Sequence, residues 1–288
     1  MAGIEPVNPQ VPLLPSAAGR HKLMLRVVSS LVMAPLALGA AYLGDPIFLL
    51  FWAIAALGVL WEWDGLVCAH DKNPVFIIGS ISLVGIALLW GLDRALPAVL
   101  MAGLGILGVA TLASRARRSW CVAGQAYATI LLLAPVMLRN DPTFGFWAMV
   151  FVFAVVWCTD IGAYVAGRSL RGPKLAPGIS PNKTWAGAIG GLAAGVAGGI
   201  LAARVAGIEN VGPLYALTVV LSLASQAGDL LESAIKRRFN AKDSSLLIPG
   251  HGGLMDRLDG FVTAAAAAAA IGLLHAGIDA PARGLLIW

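Results

Sequence analysis

Apolar residues fill the chain in long blocks, separated by short polar breaks rich in Pro, Gly, Asp and Asn such as Gly44-Asp45-Pro46 and Asn140-Asp141-Pro142. Nine blocks fall at about 24–43, 47–68, 75–92, 95–113, 119–138, 145–167, 185–206, 212–235 and 259–277. Each approaches or exceeds the length that a helix needs to cross a ~30 Å hydrocarbon core, and none shows the strict alternation of a barrel strand. The pattern predicts an all-α polytopic membrane protein of about nine transmembrane helices.

Composition agrees. At 59% hydrophobic, 12% charged and a mean hydropathy of +0.83, the 288-residue chain lies far outside the range of soluble domains. The net charge of +5 suggests nucleic acid in a soluble protein, but in a membrane protein basic residues report topology first. With the N-terminus cytoplasmic, only Arg94, Arg139, Arg204 and Arg283 of the twenty basic residues fall outside, so no nucleic-acid partner is expected. An odd number of spans then leaves Trp288 and the C-terminus outside. No cleavable signal is apparent ahead of the first apolar block. Cys68, Cys121 and Cys158 lack metal-type spacing and are expected to be packing residues.

Two cytoplasmic connections are longer than turns and polar, which is where function concentrates on a compact bundle. The first, Arg168 to Thr184, carries Arg171, Lys174 and Lys183, with Ser180, Asn182 and Thr184 just ahead of a helix N-terminus, where anions bind. It is expected to bind a triphosphate. The second, Lys236 to about Leu258, offers Lys242, Asp243 and a Gly250-His251-Gly252-Gly253 turn, whose glycines permit positive φ and close approach to a ligand.

The helices flanking this loop add ionisable groups that are costly inside a bilayer. In the eighth block Ser222, Ser225, Gln226, Asp229, Glu232, Ser233 and Lys236 recur at three- and four-residue steps along one face. Asp256 and Asp259, three apart at the start of the ninth, project from one face. Asp229, Asp256 and Asp259 together suit Mg²⁺, which takes one or two carboxylates plus phosphates and water. Asp160, with Thr159 and Tyr164 near the inner end of the sixth block, is a further site candidate. Glu62 and Asp64 alternate with Trp61 and Trp63 and are expected at a solvated interface. Gly187, Gly191, Gly195 and Gly199 form a smooth helical stripe, expected to serve packing within the chain, with a homodimer contact as the other option.

Taken together, Ser233, Ile235, Lys236, Arg237, Lys242, Asp243, Ser245, Ile248, Pro249, His251, Gly252, Gly253, Leu254, Asp256, Arg257, Leu258 and Asp259 fill one long spaced signature. With Ser180-Pro181-Asn182-Lys183-Thr184 and Asp160-x-x-Ala163-Tyr164, the chain resembles the phosphatidate cytidylyltransferase (CDP-diacylglycerol synthase) family. The resemblance by motif spans about Asp160 to Asp259. It implies transfer of CMP from CTP to phosphatidate, with Mg²⁺ and room for a second cation, by an enzyme of the bacterial inner membrane whose site faces the cytoplasm. CTP would arrive from the cytoplasm and phosphatidate from the inner leaflet. Lys183, Lys236, Arg237, Lys242 and Arg257 would hold phosphates, and Asp229, Lys236, Asp256 and Asp259 would form the catalytic set. The organisation expected is a polar tail at 1–22, N-terminal transmembrane helices at 23–144 and a C-terminal transmembrane catalytic region at 145–288. Another lipid phosphate as acceptor, or an ion-coupled transporter, is the alternative.

Overall fold

A computed structural model describes residues 32–67, 72–170, 172–245, 247 and 252–288. The N-terminal tail, the first part of the first expected span, Arg171, Pro249 and His251 lie outside these residues. The helices are α1 (Val32–Leu43), α2 (Ile47–Val67), α3 (Lys72–Gly91), α4 (Ala95–Leu112), α5 (Arg118–Arg139), α6 (Gly145–Ser169), α7 (Trp185–Val205), α8 (Gly212–Arg238), α9 (Met255–Ala276) and α10 (Pro281–Leu286). Among the described residues, eight helices, α2 to α9, are long and apolar enough to cross a membrane. The fold is all-helical apart from a two-stranded antiparallel hairpin, β1 (Lys174–Ala176) and β2 (Ser180–Thr184).

Neither the hairpin nor α10 was expected from the apolar pattern, because each is too short to carry a period. Leu96, Leu100, Leu104 and Leu107 of α4 point out of the bundle at 60–70% exposure, an apolar outer surface suited to lipid. The chain is an integral membrane protein.

Glycine decides how closely α6 and α7 approach. Gly187, Gly191, Gly195 and Gly199 are all buried, and a Cβ at Gly191 would stand 2.8 Å from the Thr159 carbonyl oxygen and 3.0 Å from Ala163 Cβ. The stripe is therefore used within the chain, which leaves a homodimer without this surface. We expect Gly191→Val to force these helices apart at about 1–3 kcal/mol, the usual penalty of overpacking. A lowered thermal midpoint of the purified protein in detergent checks this, and an unchanged midpoint would contradict it.

Two corrections concern α2 and α5. Glu62 and Asp64 are not solvated at an interface: they are 2% and 0% exposed. Trp63 is buried too and donates its indole N–H to the Trp120 carbonyl. Cys158 is free, as a packing residue would be, but Cys121 is held in a disulfide.

Candidate functional site

The site forms where α6, the hairpin, α8 and α9 meet at one end of the bundle. The close crossing of α8 and α9 depends on small residues. Gly228 lies so near α9 that a Cβ there would stand 2.5 Å from the Asp259 carbonyl oxygen, and a Cβ at Gly260 would stand 2.5 Å from Ser225 Oγ. Thr263 of α9 donates to the Ala224 carbonyl across the same crossing. Asp229, next to Gly228, and Asp259, next to Gly260, thus face common space.

Local chemistry sets where α8 stops. Asn240 takes positive φ (56°), which Asn tolerates, and Ala241 N–H donates to the Lys236 carbonyl while Asn240 N–H reaches that of Arg237. This Schellman closure ends the helix and is braced by Arg237 Nη1 donating to the Ala241 carbonyl. Arg237 thereby serves the turn.

On the other wall, β2 runs directly into α7, and the Thr184 hydroxyl accepts the Gly187 N–H as N-cap. Accepting that bond leaves the hydroxyl its own proton, and Thr184 also lines the site's cavity. The hairpin presents Lys183 beside it, whose Nζ lies 2.5 Å from Asp229 Oδ2.

These elements enclose a cavity of about 790 Å³, lined by Asp160, Asn182, Lys183, Thr184, Asp229, Lys236, Asp243, Asp256, Arg257 and Asp259 of the expected set. Tyr164, Arg168 and Gln226 line it as well. Ser180, Ser233, Arg237, Lys242, Gly252 and Gly253 are not part of its lining. Lys242 is exposed in the connecting loop, and Ser180 pairs with Ala176 at the far end of the hairpin. His251 lies outside the described residues.

Lys236 does not pair with Asp229. Its ammonium sits 2.5 Å from Glu232 and 2.5 Å from Asp256, with all three side chains largely buried (12%, 2% and 6% exposed). Asp256 is fully engaged. Oδ1 takes Lys236, while Oδ2 accepts Gly253 N–H at 2.7 Å and both the N–H and hydroxyl of Ser244 at 3.0 Å. Gly252 is required here, since its φ of +82° is left-handed and a Cβ would come within 2.6 Å of Asp256 Oδ2.

The cavity lining therefore combines carboxylates from α6, α8 and α9 with the cations Lys183, Lys236, Arg168 and Arg257. Among the described residues no three His, Cys, Asp or Glu side chains already form a metal cage. Mg²⁺ does not need one, because it keeps water and takes phosphate oxygens alongside one or two carboxylates. Asp229, 38% exposed, is far more open than Asp256 at 6%. Asp256 joins only by exchanging the Lys236 ammonium.

Arg168 was missed as a lining residue, although it stands one helical turn beyond Tyr164, whose hydroxyl accepts from its Nη1 at 3.1 Å, and two beyond Asp160. Ser244 and Glu62 were also missed as parts of the site's framework. An acid in an otherwise apolar helix was the available signal for Glu62.

Known proteins resemble this chain over most of its length. The cytidylyltransferase family model matches residues 24–275. A phosphatidate cytidylyltransferase from Brucella suis is 43% identical over 262 residues, which cover 90% of this chain and 96% of the relative. One from Haemophilus influenzae is 31% identical over 275 residues, covering 83% and 94%. One from Staphylococcus haemolyticus is 41% identical over 145 residues, about half of each chain. A match running through the N-terminal helices as well as the polar signature includes both walls of the cavity. The chain belongs to the cytidylyltransferase family.

Proposed function

We propose that the protein is a CTP:phosphatidate cytidylyltransferase. A phosphatidate phosphate oxygen attacks the α-phosphorus of CTP, the α–β phosphoanhydride bond breaks, and CDP-diacylglycerol and pyrophosphate leave. The observation that carries this reading is one polar cavity, walled by Lys183, Lys236 and Arg257 against Asp160, Asp229 and Asp259, at the end of a bundle with an apolar outer surface.

The attacking phosphate is already an anion at neutral pH, so no strong base is called for. The work is alignment of two phosphates and stabilisation of spreading charge. Lys183 supplies positive charge from the hairpin and Arg257 from α9, while Lys236, held by Glu232 and Asp256, lies at the loop end of α8. Asp229, Asp256 and Asp259 are the side chains that would hold Mg²⁺. When bound, the ion would bridge phosphate oxygens and neutralise their charge. The positive-inside distribution supports a cytoplasmic mouth at the bacterial inner membrane, with CTP entering from water and the lipid from the inner leaflet.

The test is to incubate purified protein with labelled CTP, Mg²⁺ and a panel of lipid phosphates. The expected result is CDP-diacylglycerol with equimolar pyrophosphate, and kcat/KM highest for phosphatidate. Product from a different lipid phosphate alone would reassign the acceptor. No lipid-dependent CTP turnover at all would overturn the reading.

A further inference from the structure

Glu62 lies on α2, about 190 residues from the signature loop, yet its carboxylate is that loop's anchor. Oε1 accepts the Leu254 N–H at 2.7 Å and the Ser245 hydroxyl at 2.6 Å, while Oε2 accepts the Met255 N–H at 2.7 Å and the Ser244 hydroxyl at 3.0 Å. Each oxygen thus takes one backbone amide; Oε1 also takes the Ser245 hydroxyl, while Oε2 shares the single Ser244 hydroxyl proton with Asp256 Oδ2. The group is 2% exposed, so such a carboxylate is tolerated only because it is this fully satisfied.

The amides it takes belong to the start of α9. Leu254 stands at the N-cap without a side-chain cap of its own, and helix N-termini leave N–H groups that must find partners. Glu62 supplies that cap from a different helix, with a negative charge at the positive end of the α9 dipole. The next residues are Asp256, Arg257 and, one turn on, Asp259, all in the cavity lining.

The glycine at 253 follows from the same clasp. A Cβ there would stand 1.9 Å from Ser244 Oγ and 2.6 and 2.7 Å from the two Glu62 oxygens. Gly253 does not line the cavity, and its place in the signature is accounted for by the joint approach of Ser244 and Glu62. Ser244 completes the link, since its hydroxyl lies 3.0 Å from both Glu62 Oε2 and Asp256 Oδ2.

We infer that Glu62 is a positioning residue for this site, a clasp from α2 that fixes where α9 begins and thereby where Asp256, Arg257 and Asp259 stand. This rests on the cytidylyltransferase reading for its effect on turnover, and on geometry alone for its effect on the loop.

Glu62→Gln keeps size and shape but turns one acceptor into a donor, so one of the two α9 amides loses its partner and the hydroxyl beside it must turn away. Misplacement of a reacting constellation by about 1 Å costs on the order of a hundredfold. In the full-length variant, kcat is expected to fall between about tenfold and a hundredfold, with KM for CTP moving less than about threefold. Ser245→Ala should show a smaller loss, and Ser245→Thr, which restores a hydroxyl, should recover it.

Hydrogen exchange on the same proteins supplies the readout that general destabilisation would not give. Peptides covering 244–256 should exchange faster in Glu62→Gln, while those of α6 and α7 stay as in the wild type. Wild-type kcat in Glu62→Gln, or exchange rising evenly over every helix, would overturn the inference. If the wild type itself made no CDP-diacylglycerol, the functional reading would fall, and the exchange comparison would still decide the clasp.

Discussion

Asp229→Asn is expected to lower kcat/KM by about a thousandfold or more while leaving the thermal midpoint where it is. The two halves of that expectation come from one distance and two exposures. Asp229 Oδ2 lies 2.5 Å from Lys183 Nζ, and the side chains are 38% and 25% exposed. An ion pair so open to water is worth about 0–1 kcal/mol to the fold. The same carboxylate holds the hairpin's lysine over the cavity and is an exposed oxygen donor for a cation, so its charge matters to a reaction among phosphates. Asparagine keeps the shape and removes the charge. Lipid-dependent CTP turnover, measured with a melting curve on the same sample, checks both. A wild-type rate in the variant would take Asp229 out of the catalytic machinery.

The helices were legible because their signal is long. Spans such as 95–113 and 145–167 read from apolar length alone fall within about two residues of α4 and α6. The start of α9 shows a larger offset, Met255 against 259, since its first turn carries Asp256 and Arg257, and α3 starts and α8 ends three residues beyond the apolar pattern. The glycine stripe signalled close packing within the chain, because smooth faces in lipid serve close packing, but α6 as its partner came only with the structure. The signature and the two upstream motifs together hold eleven of the eighteen residues that line the cavity.

What it could not sort was direction. Lys236 and Arg237 are adjacent in sequence but about 100° apart around a helix, so one enters the site and the other braces the Schellman turn. Thr184 caps α7 through its hydroxyl oxygen while lining the cavity, a double placement that position alone does not reveal. The hairpin escaped notice because its strands of three and five residues have no period to read. Glu62 escaped for a different reason: its partners lie 182 to 193 residues away, and no local pattern encodes a contact of that length.

Asp256→Asn is expected to remove activity as completely as Asp229→Asn, but with a second effect that Asp229→Asn lacks. Asp256 has no spare oxygen. One oxygen holds Lys236 and the other gathers Gly253 and Ser244. An amide has one acceptor, so whichever way it turns, its NH₂ faces Lys236 or the loop's own donors. Lys236 would keep only Glu232, within a cluster at most 12% exposed. Breaking a buried pair by removing one partner costs about 3–5 kcal/mol. The thermal midpoint should therefore fall, and peptides covering 244–256 should exchange faster, in addition to the loss of turnover. An inactive Asp256→Asn protein with wild-type melting and exchange would mean that Asp256 acts on the substrate or its cation alone. A variant that turned over at the wild-type rate would remove it from the site. The contrast between the two asparagine variants separates a carboxylate that serves the reaction from one that also builds the wall on which the reaction takes place.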